Sequence, residues 1–152
     1  VDRLRREGLQ RYEVSNYARP GRECAHNLAY WRQHDWLAAG PSASGHLAGH
    51  RWKNTPRLDD YLSIDDEGFA PIIEHEPPDA RRAMRERLMT GIRLREGLEI
   101  DGVCAAAERL APGARRRLET SAAWHQQVGL IVVCEGRWVL TDAGFLMGDR
   151  VA

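Results

Sequence analysis

The chain has almost no lysine, no closely spaced cysteines, no long apolar run and no net charge. Each shortage excludes something. Lys53 is the only lysine, so nearly all of the basic groups are arginine guanidinium ions, and 22 lysines and arginines stand against 22 aspartates and glutamates. A formal charge of zero leaves no overall field to gather nucleic acid or an anionic membrane. Cys24, Cys104 and Cys134 lie far apart with no CxxC pair, which argues against a zinc or iron–sulfur site made by this chain alone. An odd cysteine count without a signal peptide predicts free thiols and a cytoplasmic location. No apolar stretch approaches the roughly 18 residues of a membrane-crossing helix.

What is present suffices for one ordinary domain or two small ones, since 43% of the 152 residues are apolar. The chain opens at Val1 inside a predicted helix, residues 1–7, closed by Gly8, an opening that suggests a fragment. Residues 9–15, with Tyr12 and Val14, suit a short strand. Helix, glycine stop and strand make half of an α/β unit, and such a unit needs neighbouring strands and covered faces. Residues 16–52 show no sustained period and read as loop-dominated, with a short helix at 28–32 and an apolar stretch at 36–39. Tyr17, Tyr30, Trp31 and Trp36 gather there among histidines, a composition that suits a ligand site.

Residues 65–78 read as a linker, acidic and carrying Gly68, Pro71 and the Pro77-Pro78 pair. Asp79 is a good helix N-cap, and Ala80, Met84, Leu88 and Ile92 recur every four residues as one apolar stripe ending near Gly97. A short helix at 102–110 stops at Pro112-Gly113, and a longer one at 114–128 stops at Gly129. Residues 130–134 and 138–140 form a hairpin around Glu135-Gly136, and Thr141 caps a last helix through Arg150. Three helices, a hairpin and a closing helix describe a winged-helix-like domain. Arg115-Arg116-Arg117 would suit a phosphate backbone, but in a neutral chain a solvated helix start is the better account.

Two motifs carry a family resemblance. Tyr12-Glu13-Val14-Ser15-Asn16-Tyr17-Ala18-Arg19-Pro20-Gly21 is similar to the YE(I/V)SN(F/Y)AxPG signature of HemW-type heme chaperones. These are radical-SAM proteins related to oxygen-independent coproporphyrinogen III oxidase. His26-Asn27-Leu28-Ala29-Tyr30-Trp31 matches their HNxxYW motif in full. Gly40 to Gly45, Asn54 to Leu62, Gly91 to Leu98 and Leu140 to Gly144 resemble further segments of the same family.

The resemblance implies a fold in two parts. Residues 1–66 are an α/β remnant of the C-terminal end of a radical-SAM partial (β/α) barrel, with its ligand loops. Residues 67–78 are the linker, and residues 79–152 a mostly α, winged-helix-like C-terminal domain. It also implies that the intact parent binds heme and delivers it to client hemoproteins of the respiratory chain. S-adenosylmethionine and a [4Fe–4S] cluster would be held by the missing part. This chain lacks the CxxxCxxC loop, so the resemblance implies that it performs no radical chemistry by itself. A parent that oxidatively decarboxylates coproporphyrinogen III and a winged-helix interaction module are the alternatives. No nucleic-acid partner is expected, peripheral membrane association of the parent is compatible with the resemblance, and the oligomeric state is open.

His26 is the sharpest candidate. A neutral imidazole is a good axial ligand for heme iron, and Tyr30 and Trp31 could offer flat apolar surface to a porphyrin. Against this stands an ordinary hydrogen-bonded histidine, with Asn27 capping the helix or a turn. Cys24, two residues before His26, is a weaker candidate for heme contact. By the resemblance, Glu13 lies at a strand end near the S-adenosylmethionine mouth, against a solvated or salt-bridged carboxylate as the plain alternative. Ala43 and Ser44 belong to the loop near the same cofactor, against a tight turn leaving a strand. Ser44 stands where many relatives have histidine, and His46 could partly substitute.

Overall fold

The computed structural model describes residues 1–63, 68 and 71–151. Helix α1 (Asp2–Arg6) ends ahead of Gly8, and the chain continues into strand β1 (Gln10–Arg11). The strand predicted over residues 9–15 is cut short. Tyr12 N–H donates to the Asn16 carbonyl at 3.1 Å, the chain turns back, and β2 (Tyr17–Ala18) pairs antiparallel with β1. Glu13 instead makes an isolated antiparallel bridge to Leu94. Every strand pairing among the described residues is antiparallel. The reason is connectivity, because a parallel neighbour needs a crossover and this segment has only a tight reversal.

The loop-dominated reading of residues 16–52 needs correcting. Helix α2 (Ala25–Trp31) starts three residues before the predicted one. Strands β3 (Ser44–Leu47) and β4 (His50–Asn54) form a hairpin in which Gly45 faces Trp52. A side chain at Gly45 would begin 2.2 Å from the Trp52 ring, so only glycine leaves room for the indole. After helix α3 (Leu58–Leu62), strand β5 (Ile72–Glu76) joins β4, pairing Lys53 with Ile73 and Asn54 with Ile72. The prolines read as linker signals flank that strand, where no ladder donor is needed, and its interior contains none. The earlier part of the expected linker, residues 65–67 and 69–70, and with it the predicted boundary at 66, lies outside the described residues.

Helix α4 (Ala80–Gly91) is capped as predicted, with Asp79 Oδ1 accepting from Arg82 N–H at 2.6 Å. It ends at Gly91 rather than Gly97. Strand β6 (Leu98–Glu99) follows, and Glu99 caps helix α5 (Ile100–Leu110) by accepting from the N–H groups of Asp101 and Gly102. Helix α6 (Ala114–Gln127) follows Gly113, which has no capping side chain. Glu108 of α5 supplies it instead, accepting from Gly113 N–H at 2.8 Å and Arg115 N–H at 2.9 Å. Strands β7 (Ile131–Cys134) and β8 (Arg137–Leu140) complete a three-stranded sheet of order β6-β8-β7. Thr141 caps α7 (Asp142–Leu146), and the last helical segment, α8 (Gly148–Val151), is separate from it.

The chain divides into two units, residues 33–83 and residues 1–32 with 84–151. The larger unit has its core in Ile92, Leu98, Val103, Cys104, Ala122, Ile131, Trp138, Leu140 and Phe145, with Met84 and Leu88 of the predicted stripe packed on it. Burial of each large apolar side chain contributes about 1.5–3 kcal/mol. The smaller unit has buried polar anchors. Asn54 Nδ2 donates to the carbonyls of Ala38 at 3.3 Å and Gly40 at 3.0 Å, which ties the loop before β3 to β4.

Candidate functional site

The early start of α2 decides how the HNxxYW residues face. Four residues of helix bring His26 and Tyr30 onto one side. Nε2 of His26 lies 2.9 Å from Tyr30 Oη, and the rings meet edge to face with centroids 4.7 Å apart. Both side chains are exposed, while Trp31 is half-buried. Leu28 and Arg32 lie on a different side of the helix and line a cavity of about 530 Å³ with Tyr12, Leu94 and Arg95. The N-cap position belongs to Cys24, whose side chain caps nothing, so Asn27 is not the cap. Asn27 Nδ2 donates to Tyr12 Oη at 3.2 Å, and this bond joins the two family motifs.

The donor chemistry of this face suits a heme iron. His26 is exposed, the Tyr30 phenol lies on its Nε2, and rotation of the Tyr30 side chain would release that nitrogen for ligation. Cys24 is exposed beside it.

Glu13 is buried rather than solvated, and among the described residues it makes no salt bridge. It is only 1% exposed, Oε2 accepts from Ser15 N–H at 3.2 Å, and Oε1 is buried without a partner. A buried carboxylate oxygen lacking a donor is costly, and a ligand that brings an ammonium or hydroxyl donor would satisfy it. S-adenosylmethionine carries both kinds of donor.

Ala43 and Ser44 belong to the smaller unit. Ala43 is half-buried and bonded on both sides of its backbone, its N–H to the Gly40 carbonyl at 3.3 Å and its carbonyl to Asn54 N–H at 2.8 Å. Ser44 is exposed at the start of β3, and its carbonyl accepts from Trp36 Nε1 at 2.8 Å. His46 is buried, with Nδ1 3.0 Å from the His34 carbonyl and its ring 4.8 Å from that of Trp36. It anchors the loop before β3 to the hairpin.

Three features escaped sequence reasoning. His50 and His75 stack across β4 and β5, Nδ1 to Nε2 3.1 Å. Their separation of 25 residues gave no signal. Glu13 joins Leu94 across 81 positions, visible only once the chain is folded. A cavity of about 670 Å³ in the larger unit is lined by Arg5, Arg11, Arg95 and Arg137 over Val139 and Phe145. Its arginines come from four separate segments. Among the described residues no three His, Cys, Asp or Glu side chains converge as a metal site. Cys104 is buried and its thiol is pushed up by desolvation, whereas Cys24 and Cys134 are exposed.

The fold is that of part of a radical SAM enzyme. The chain superposes on the solved structure of coproporphyrinogen III oxidase (HemN) from Escherichia coli, a radical SAM enzyme. The TM-score is 0.70 at 18% identity, covering 99% of this chain and 37% of that one. The HemN C-terminal domain matches residues 79–147. Heme chaperone HemW of Mycobacterium tuberculosis is 36% identical over 98% of this chain, and HemW of Bacillus subtilis 26% identical over 99%. The chain spans 35% and 39% of the length of these two relatives. It belongs to the HemW-type family of HemN-like proteins.

Proposed function

We propose that this chain contributes the heme-contacting part of a heme chaperone. His26 is the iron ligand, Tyr30 and Trp31 provide porphyrin contact, and the client hemoproteins belong to the respiratory chain. The observation that carries this reading is the HNxxYW segment folded as one helix, which presents the His26 imidazole to solvent beside Tyr30. Glu13 is the residue that faces S-adenosylmethionine, a reading supported by its orphaned Oε1. Ala43 and Ser44 lie in the cofactor's vicinity through their backbone, since the Ser44 side chain replaces the usual histidine. The [4Fe–4S] cluster belongs to the part of the relatives that this chain does not span.

Residues 79–152 are a winged-helix-like domain that serves as a lid or docking surface over the barrel, and residues 1–66 the end of that barrel. The order α4, β6, α5, α6, β7, β8 with a β6-β8-β7 sheet supports the first of these. The protein works in the cytoplasm. The oxidase reading has the HemN fold likeness behind it, while the chaperone reading has the more similar sequences.

The test is a titration with iron protoporphyrin IX followed at the Soret band. Ligation by His26 predicts a shifted band whose affinity falls at least tenfold in His26→Ala. An unchanged band position and affinity in that variant would remove His26 as the ligand.

A further inference from the structure

The larger cavity of the bigger unit has a charge pattern that the His26 site does not use. Arg5 is neutralised by Asp142, with contacts of 2.6 and 2.9 Å, and Glu96 is taken by Arg32 at 3.0 and 3.1 Å. Three other arginines of the cavity hold only neutral oxygens among the described residues. Arg11 donates through Nε and Nη2 to Tyr17 Oη. Arg95 donates to Gln10 Oε1, and Arg137 donates to the carbonyls of Glu96 and Gly97 at 2.6 and 2.8 Å. Glu135 is the lining carboxylate that no arginine bonds among the described residues, and Asp142, held by Arg5, also acts on Arg11 electrostatically, so four arginines face three carboxylates.

Each of the three guanidinium groups keeps N–H donors beyond those bonds, because the group has five and at most two are used here. The floor beneath them is apolar, with Val139, Leu140 and Phe145, and the Arg11 guanidinium lies 4.7 Å from the centre of the Phe145 ring. Cations around an apolar floor recognise an anion with an apolar body, and a planar fork of donors matches a carboxylate. A volume of about 670 Å³ is ample for such a ligand.

We propose that this cavity binds the carboxylate edge of a tetrapyrrole, with Arg11 and Arg95 as the carboxylate-binding residues and the half-buried Val139 as the apolar contact. The choice of a tetrapyrrole rests on the heme reading above, whereas the preference for an apolar carboxylate rests on the cavity. Recognition through the carboxylates needs no iron, so this site is independent of His26.

The experiment uses metal-free protoporphyrin IX, which cannot be ligated by an imidazole, and its dimethyl ester, with binding followed by porphyrin fluorescence. The free diacid should bind the wild-type chain and His26→Ala equally. Arg95→Gln should weaken it about tenfold, the loss of one charge-assisted contact, and the ester should bind at least as weakly. Arg95 is exposed and its side chain bonds only Gln10 among the described residues, so this variant keeps the fold. Arg11→Gln provides a second reading, with circular dichroism to confirm folding.

An ester that binds as tightly as the diacid, an unchanged Arg95→Gln, or failure of the diacid to bind would each overturn the proposal. Loss of binding in His26→Ala alone would do so too. The heme reading fails separately, if iron protoporphyrin IX shows no His26-dependent Soret shift while the diacid still requires Arg95.

Discussion

Asn27 Nδ2 donates to Tyr12 Oη at 3.2 Å, so the helix carrying His26 is tied by a side-chain bond to the segment carrying Glu13. The bond is partly buried, which gives it a measurable share in stability. Tyr12→Phe removes its acceptor and should cost about 1 kcal/mol in chemical denaturation. A midpoint and slope equal to those of the wild type would show that the bond contributes nothing.

Tyr30 sits on the nitrogen that an iron would take. Its hydroxyl bond to His26 Nε2 must break before ligation, so Tyr30→Phe should tighten iron protoporphyrin IX about fivefold, the worth of one hydrogen bond. Loss of the shifted Soret band in that variant would instead make the phenol the ligand.

Gly97 tolerates no side chain. Its φ is +63°, and an added Cβ would fall 2.0 Å from the Trp138 carbonyl oxygen, in the strand beside β6. Gly97→Ala should lower stability by about 2 kcal/mol or more, read from thermal or urea unfolding. A loss under half of that would mean that the β6–β8 edge moves aside freely.

Glu108 carries a pH dependence of defined sign. Backbone N–H groups of Gly113 and Arg115 hold its carboxyl below the ordinary glutamate value. A lowered folded-state pKa places the stabilising contribution above the unfolded value of about 4.3, and it is lost as pH falls through the folded value. The carboxyl carbon of Glu108, followed by NMR, should titrate below that of a model peptide. Glu108→Gln should flatten the acid limb of the stability curve without changing the neutral region's shape.

The thiols should separate by burial. Cys24 and Cys134 are exposed while Cys104 is fully buried with its thiol pushed up, so a thiolate-selective reagent should modify two groups quickly and the third only on unfolding. Three equally fast thiols would show that the α5 core opens readily.

The local elements were largely legible because their signals are local. Asp79 and Thr141 marked helix starts, Pro112-Gly113 marked a helix stop, the Met84, Leu88 and Ile92 spacing marked the buried stripe, and Glu135-Gly136 marked the hairpin turn. The family motifs could be read directly, as contiguous residues. Misreadings arose where a partner lay far along the chain. Residues 72–76 looked like linker between prolines because their strand character depends on the edge offered by β4. Asn27 looked like a cap because Tyr12, its acceptor, cannot be assigned from spacing.

The family resemblance singled out His26, whereas the sequence by itself determined where the helices capped by Asp79 and Thr141 begin and which residues seek the core. These follow from backbone capping, side-chain polarity and residue order, which are properties of short stretches. Tertiary structure alone decided that Glu13 is buried with one oxygen unpartnered. It also decided that His26 faces solvent against Tyr30, and that Arg11, Arg95 and Arg137 share one cavity. Burial and charge balance are set by what surrounds a group in space, and the neighbours that set them here come from distant parts of the chain.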